Sequence, residues 1–596
     1  MSEIQALHHQ VQTSLDRFTH TMSETVDVVI DSLVNAGVTH IFGVPGAKID
    51  SVFNGLIDRP EIKLVVCRHE QNAAFIAGAF GRITGRPGVC IATSGPGTSN
   101  LATGLVTAND EGAPVVAIVG DVKRVQAAKK THQSLRGVQL LGPVTKKTTG
   151  AVHPDQVAEI MLDAFRTAAA YPQGATAVSL PIDIMTLGSK TSIPALPAAA
   201  FTPPEYGTSP SASLSRAASM IQDAKFPVLF LGARAATPEA VEAVHRFLRK
   251  HPIPVVETFQ AAGSISRELA HLFYGRIGLF RNQPGDRLLA QADLVVVAGY
   301  DQSEYDADAW HKSPSLEILH LDWVPADYGA FYNPKLELVG SIAANVKALG
   351  DILATVSRPQ ESEVARAIFA EFHAWEQSPE ALGRTAEGDN GDGGGGSGGG
   401  GDGPVHPLYF IKLMQGLLPP SPTVASDVGS MYIWLSRFYF AYSPKSFLVS
   451  NVQQTLGVAL PWAIGASLAQ RPPCSQKVVS VSGDGGFLFS GQELATAVRQ
   501  GCDITHFIWN DGKYNMVEFQ EVDKYGRSSG VDLGGVDFVK YAEAFGAKGL
   551  RVSRSSDLEA VMREALGHQG VCVVDVNIDY SHNYELMKNV IQDSIS

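Results

Sequence analysis

The segment Lys477–Gln520, KVVSVSGDGGFLFSGQELATAVRQGCDITHFIWNDGKYNMVEFQ, decides the fold. Val478-Val479-Ser480-Val481 is a β-branched run suited to a parallel strand buried on both faces. The turn Gly483-Asp484-Gly485-Gly486 follows it, then a helical pattern through Glu493, Leu494, Ala497 and Val498. A second apolar run, Ile504 to Trp509, ends in Asn510-Asp511-Gly512. Strand, helix and strand joined by a right-handed crossover place Asp484 and Asp511 together at the carboxyl edge of a sheet, where open α/β folds bind ligands. Two carboxylates beside backbone carbonyls suit a small hard cation such as Mg²⁺, which completes its octahedron with phosphate oxygens. The small residues around Asp484 let backbone N–H groups approach a phosphate. The chemistry implied is a diphosphate held through a divalent metal.

Working outward, 596 residues are too many for a single core, and a chain 45% hydrophobic and 18% charged is globular. A formal charge of −13 and the lack of any basic finger or RNP-like pattern argue against a nucleic-acid partner and an anionic membrane surface. No apolar window is long enough for a membrane span. The five cysteines (Cys67, Cys90, Cys474, Cys502 and Cys572) have no CxxC spacing and read as small hydrophobes in a reducing compartment. The first 22 residues have neither secretory nor organellar-transit character, so the expected location is cytoplasmic.

The βα alternation recurs through the chain and predicts an α/β protein of three open, mostly parallel-sheet domains. The boundaries read as an N-terminal extension (1–22), a first domain (23–190), a central domain (191–355), a linker (356–404), a third domain (405–585) and a tail (586–596). In the first domain, Leu64–Cys67 is a strand followed by Arg68-His69-Glu70, and Gln71–Thr84 is a helix rich in small residues. A glutamate in that place is ordinarily a helix-start residue favoured by the macrodipole. Val89–Ala92 leads into the glycine-rich turn Thr93–Asn100. A basic stretch with Lys123, Arg124, Lys129 and Lys130 reads as helical and precedes Thr131-His132-Gln133-Ser134. The central domain lacks the GxGxxG fingerprint of dinucleotide binding. Glu387–Gly403 is an acidic glycine tract that reads as a flexible tether.

Gly483-Asp484-Gly485 followed by Asn510-Asp511, with the acidic positions 27 residues apart, resembles the motif of the thiamine-diphosphate enzymes. The resemblance implies the three-domain arrangement of the decarboxylases and carboligases of that family, with thiamine diphosphate and Mg²⁺ as cofactors. It implies Asp484, Asp511 and the Lys513 carbonyl as metal ligands. Gly483, Gly485, Gly486, Tyr514, Asn515 and Met516 would lie around the diphosphate. Arg68-His69-Glu70 matches the setting of the glutamate that hydrogen-bonds N1′ of the aminopyrimidine, so Glu70 is both catalytic and cofactor-binding. Asn451–Gly457 matches the loop whose apolar residue props the cofactor bent, which assigns Gln454 and Leu456 to the cofactor. As a plain sequence feature, Leu456 would be a core residue.

The His132-Gln133 pair, Tyr300-Asp301 after a central-domain strand, and Gly275–Asp286 resemble the FAD-independent catabolic acetolactate synthases. That likeness implies His132 and Gln133 at the substrate, and Leu141 where relatives carry an aromatic wall. Gln520 and the loop Lys524–Arg527 would lie over the substrate. The implied reaction condenses two pyruvates to 2-acetolactate and CO₂ through a hydroxyethyl-ThDP enamine. The implied assembly is a homodimer or homotetramer with active sites between subunits. Pyruvate oxidase, pyruvate decarboxylase and a non-catalytic regulatory protein of the same fold are the alternatives.

Overall fold

The computed structural model describes residues 22–279, 282–311, 315–354, 362–383, 402–470 and 476–587. The acidic glycine tract lies almost wholly outside the described residues.

Three six-stranded sheets carry the fold, and every strand pair within them is parallel. With strands numbered in chain order inside each sheet, the first sheet (His40–Gly43, Lys63–Val66, Gly88–Ala92, Val115–Asp121, Lys147–Gly150, Ala175–Pro181) has the order 2-1-3-4-6-5. The third (Thr423–Ser426, Phe447–Leu448, Val478–Gly483, Ile504–Asn510, Lys548–Val552, Val571–Asn577) repeats that order. The middle sheet (Pro227–Leu231, Val255–Thr258, Phe273–Ile277, Leu294–Ala298, Glu317–Asp322, Leu336–Val339) is 3-2-1-4-5-6, the doubly wound order of dinucleotide-binding folds. The expected α/β class and the three parallel sheets are therefore present. Phe273–Ile277, Leu336–Val339 and Lys548–Val552 are strands that the sequence reading did not mark.

Continuous β-branched and apolar runs form these strands because helices cover both faces. Val478, Val479, Val481, Phe507 and Ile508 are all fully buried in the third sheet, as are Ile41, Val65, Ile91, Ile118 and Val178 in the first. The basic stretch after Val115–Asp121 is not a helix. It forms one 3₁₀ turn, Arg124–Gln126, and then bends. It buries no side chain in that turn, so nothing packs a longer helix into place.

By contact density the described residues up to 204, apart from 82–84, form one compact unit, and those from 205 onward form another. The middle and third sheets thus share a unit, and a buried arginine joins them. The side chains of Arg276 and Glu257 are 2% and 1% exposed and paired at 2.9 Å. Arg276 Nη1 also donates to the carbonyls of Ser436 (3.0 Å) and Tyr439 (2.6 Å), at the end of the third-domain helix Ser430–Phe438.

Replacing Arg276 with Met strands a buried carboxylate and removes the donor from two carbonyls. A loss of about 3–5 kcal/mol in unfolding free energy is expected for breaking such a pair. Converting Glu257 to Gln in the same chain should recover much of that loss. Urea denaturation of the unaltered protein and the two variants checks this, and a shift below about 1 kcal/mol for Arg276→Met would remove the pair from its structural role.

Candidate active site

The central strands of the third sheet run in register from Val478↔Ile504 to Gly483↔Trp509, so their ends lie side by side. Asp484 and Asn510 are the next residues. Asp484 is 4% exposed and opens the helix Asp484–Ser490, so the predicted turn is the first turn of a helix. Its Oδ2 accepts the Gly512 N–H at 2.8 Å, which ties the two acidic turns directly together. Burial pushes the Asp484 carboxyl up to about 6 against the N–H groups that hold it. Burial, and then the Asp484 charge, push Asp511 up to about 6 as well. Two neighbouring carboxylates that resist ionisation together are the electrostatic signature of a cation site.

Lys513 is fixed on both sides. Leu533 N–H donates to the Gly512 carbonyl and Tyr514 N–H to the Val531 carbonyl, each at 2.9 Å. Its ammonium is committed to Glu518 at 2.6 Å, which leaves the backbone rather than the side chain as the group offered to a cation. Among the described residues, no three His, Cys, Asp or Glu side chains converge as a metal cage. Asp484 and Asp511 therefore fit an ion that takes its remaining oxygens from backbone, water and phosphate, which is the habit of Mg²⁺.

The glycines after Asp484 have a more specific cause than phosphate approach. A Cβ on Gly485 would lie 2.5 Å from the Tyr514 ring, and one on Gly486 would lie 2.8 Å from Asp427 Oδ1. The Gly485 N–H, expected to serve a diphosphate, donates instead to Asp484 Oδ1 at 2.8 Å.

Asp427, which the sequence reading passed over as part of a strand and turn, ends strand Thr423–Ser426 and is 1% exposed. It accepts the N–H groups of Val428 (2.9 Å), Gly457 (2.9 Å) and Ala459 (3.1 Å). It thereby anchors the far end of the loop Asn451–Gly457. The near end is held by Asn451, whose amide donates to the Glu304 carbonyl and accepts from the Tyr432 hydroxyl. Between these anchors Gln454 has φ +47°, a left-handed backbone for a non-glycine residue. Leu456 is only half-buried. It is not a core residue, and a clamped loop that presents an apolar side chain outward fits a prop.

In the first unit Glu70 begins the helix Glu70–Thr84, with the His69 side chain capping it by accepting the Gln71 N–H at 3.1 Å. Glu70 is 9% exposed, and its Oε2 accepts from Asn100 Nδ2 at 2.9 Å. Asn100 lies in the glycine-rich turn quoted from the sequence, but nothing in the sequence linked it to Glu70. His132 is exposed on a turn. Gln133 is half-buried with φ +59°, and a Cβ on Gly95 would approach its Cα to 3.1 Å. Left-handed non-glycine backbone costs of order 1 kcal/mol or more, and the strain concentrates at functional positions. Leu141 does not line an open site. It is fully buried in the short helix Gly137–Leu141, and Leu140 is the exposed neighbour.

Met516 and Asn515 are half-buried at the start of the helix Asn515–Tyr525, which buries none of its residues, Gln520 included. Of the expected Lys524–Arg527 loop, Lys524 and Tyr525 end that helix, and Gly526 (φ +70°) and Arg527 follow it, all four exposed.

Three stretches match the thiamine pyrophosphate enzymes: residues 23–140 their N-terminal TPP binding domain, 214–349 their central domain and 427–576 their C-terminal TPP binding domain. An acetolactate synthase of Bacillus subtilis (strain 168) is 46% identical over 562 residues, covering 94% of each chain. A catabolic acetolactate synthase of Raoultella terrigena is 42% identical over 564 residues, 94% of this chain and 96% of that one. The large subunit of acetolactate synthase isozyme 2 of Escherichia coli (strain K12) is 29% identical over 564 residues, 93% and 95% of the two chains.

The acidic pair sets a pH dependence. Its folded pKa values, about 6, stand above the unfolded value of 3.8, so its contribution to stability in cation-free protein is fully present below pH 3.8 and is lost as pH rises through about 6. A cation binds the ionised form, so divalent-cation affinity should fall steeply as pH drops below about 6. Mg²⁺ titrations from about one unit below those values to about two above check it, and a flat profile would contradict the pairing.

Proposed function

Since the chain belongs to the thiamine pyrophosphate enzymes, we propose that it joins two pyruvate molecules into 2-acetolactate with release of CO₂. The observation that carries this reading is the near-full-length likeness to two bacterial acetolactate synthases, in a chain whose acidic turns are tied together by Asp484 and Gly512. Thiamine diphosphate, when bound, supplies the carbon nucleophile and the electron sink that let a 2-oxo acid lose CO₂. Asp484, Asp511 and the Lys513 carbonyl would hold Mg²⁺, which would secure the diphosphate. Glu70 is buried with Oε2 committed to Asn100, and Oε1 would be the oxygen offered to N1′ of the aminopyrimidine. Leu456 supports the bend of the cofactor, with Gln454 beside it. His132 and Gln133 orient pyruvate oxygens by hydrogen bonding.

The reaction needs no flavin in this reading. The crevice of the middle sheet lies beyond Pro227–Leu231 and Leu294–Ala298, and the chain's own side chains fill it. Arg234 pairs there with Asp322 (2.7 Å) and Asp301 (2.6 Å), and Glu304 accepts the Ala233 N–H that a phosphate would use. A Cβ on Gly232 would meet Tyr300 Cα at 2.4 Å, so the two turns approach closely there.

The proposed assembly is a homodimer or homotetramer with the active site shared between subunits. Leu488, Phe489, Val517, Val522 and Tyr525 are exposed on the two helices beside the acidic turns, and a second copy would remove that apolar surface from water. Cys90 and Cys572 are buried thiols pushed up to about 12 and about 11 by burial, in keeping with the cytoplasm as the proposed setting.

With pyruvate, Mg²⁺ and thiamine diphosphate but no added FAD, acetolactate should be the main product. Glu70→Gln should lower kcat by at least about 10²-fold with the thermal transition retained. Acetaldehyde as the sole product would overturn the carboligase reading. Gln133→Gly relieves the left-handed backbone, so stability should hold or rise by up to about 1 kcal/mol while activity falls. A fully active Gln133→Gly enzyme would take that side chain out of the reaction.

A further inference from the structure

The segment after the last strand of the third sheet runs past the acidic turns and lies beyond the stretch that matches the family. Val405 N–H donates to the Asn577 carbonyl and Asp579 N–H to the Val405 carbonyl, at 2.8 and 2.9 Å, which stitches the segment to the start of the domain. Ile578 N–H reaches the carbonyl of Asn510, at the end of the strand that leads into Asp511. Two side chains follow, linked by the Asn583 N–H to the Tyr580 carbonyl at 3.0 Å.

Tyr580 is 8% exposed, its ring packs near Trp509, and its hydroxyl is buried without a hydrogen-bond partner among the described residues. A buried hydroxyl in that condition is costly unless a group absent from the polypeptide satisfies it. The Ile578–Asn510 bond and the Trp509 ring place the phenol at the strand end that leads into Asp511; burial raises its pKa well above 10, and the charges of Asp511 and Asp484 raise it further.

Asn583 is 3% exposed in a fully occupied network. Its Oδ1 accepts from Trp434 Nε1 at 2.7 Å, and its Nδ2 donates to Ser430 Oγ (2.8 Å) and Asn515 Oδ1 (2.7 Å). Ser430 Oγ donates to the same Asn515 Oδ1 at 2.8 Å. With two donors on its oxygen, Asn515 must turn its NH₂ the other way, and there it hydrogen-bonds the Asp511 carboxylate.

We propose that Tyr580 and Asn583 are positioning residues of the cation–diphosphate centre: Tyr580 donates to an oxygen borne by the bound cation, a water or a diphosphate oxygen, and Asn583 fixes Asp511 through the Asn515 amide. This rests on the cofactor reading above. Outer-sphere groups of this kind typically govern metal affinity by 10–100-fold.

The test uses the full-length protein and two binding readouts that need no turnover: Mn²⁺ binding by electron paramagnetic resonance, and Mg²⁺–thiamine diphosphate binding by quenching of tryptophan fluorescence. Tyr580→Phe keeps the ring and removes the hydroxyl. Roughly tenfold weaker binding is expected, while the melting temperature of the cation-free protein holds or rises. Loss in the Mn²⁺ arm assigns the hydroxyl to a water on the metal, and loss only with the cofactor assigns it to the diphosphate. Asn583→Asp, nearly isosteric, turns donors into acceptors and forces the Asn515 oxygen toward Asp511, so it should weaken Mn²⁺ binding more than Asn583→Ala does. Unchanged affinity in both arms for Tyr580→Phe, or a fall in cation-free melting temperature that accounts for the loss, would overturn the proposal. Wild-type protein that binds no Mg²⁺–thiamine diphosphate would instead overturn the cofactor reading beneath it.

Discussion

The hydrogen bond from Gly512 N–H to Asp484 Oδ2 is the constraint around which the third domain is arranged. It exists because two central strands leave the sheet in register, one ending at Gly483 and the next at Asn510. Adjacent parallel strands are about 4.8 Å apart, so any side chains placed just beyond both ends must meet. Placing a carboxylate at each end concentrates negative charge in a buried spot, and the raised pKa values of Asp484 and Asp511 record the cost. A divalent cation reverses that balance, because it removes the mutual repulsion and uses the desolvation as binding strength. The polypeptide thus holds a charge arrangement that a divalent cation would relieve.

Asp427 gives a second, quieter organisation to the same edge. It is buried, pushed up to about 6 by burial, and held by three backbone N–H groups from its own turn, the Leu456 loop and the start of the helix Ala459–Ala469. Its closeness to Gly486 means that the glycine motif serves the protein's own packing as well as any ligand. A larger residue at 486 would push Asp427 aside, release Gly457, and so move Leu456 without touching the cofactor. The motif and the prop loop are thus one mechanical unit, although 30 positions separate Gly486 from Leu456.

What the sequence disclosed follows from how local each signal is. The buried strands announce themselves by continuous β-branched runs, and Gly-Asp-Gly with Asn-Asp marks two strand ends at a separation that a crossover must satisfy. Asn100, Asp427 and Asn583 were not legible, because each is a polar residue whose partner lies 30, 30 and 68 positions away: Glu70, Gly457 and Asn515. Their composition is that of ordinary caps and turns. Leu141 shows a different failure. In a five-residue helix, one position of register decides which of two adjacent leucines is buried, and no periodicity signal survives at that length. The basic stretch failed because charge says where water is welcome but not whether a helix has anything to pack against.

The first and third sheets share the order 2-1-3-4-6-5, and the candidate residues fall at equivalent places in both. After strand 2 come Glu70 in one and the Gln454–Leu456 loop in the other; after strand 3 come Asn100 and Asp484; after strand 4 come His132 with Gln133, and Asp511. Parallel sheets expose strand carboxyl ends on one edge only, so functional loops have nowhere else to collect. What differs is the chemistry on that edge. The first sheet presents a single buried carboxylate, Glu70, steadied by the Asn100 amide. The third presents paired carboxylates, suited to holding a doubly charged ion. One topology therefore carries two different chemistries, one in each compact unit. Charge keeps the two edges distinct: a third carboxylate beside Asp484 and Asp511 would worsen the repulsion already visible there.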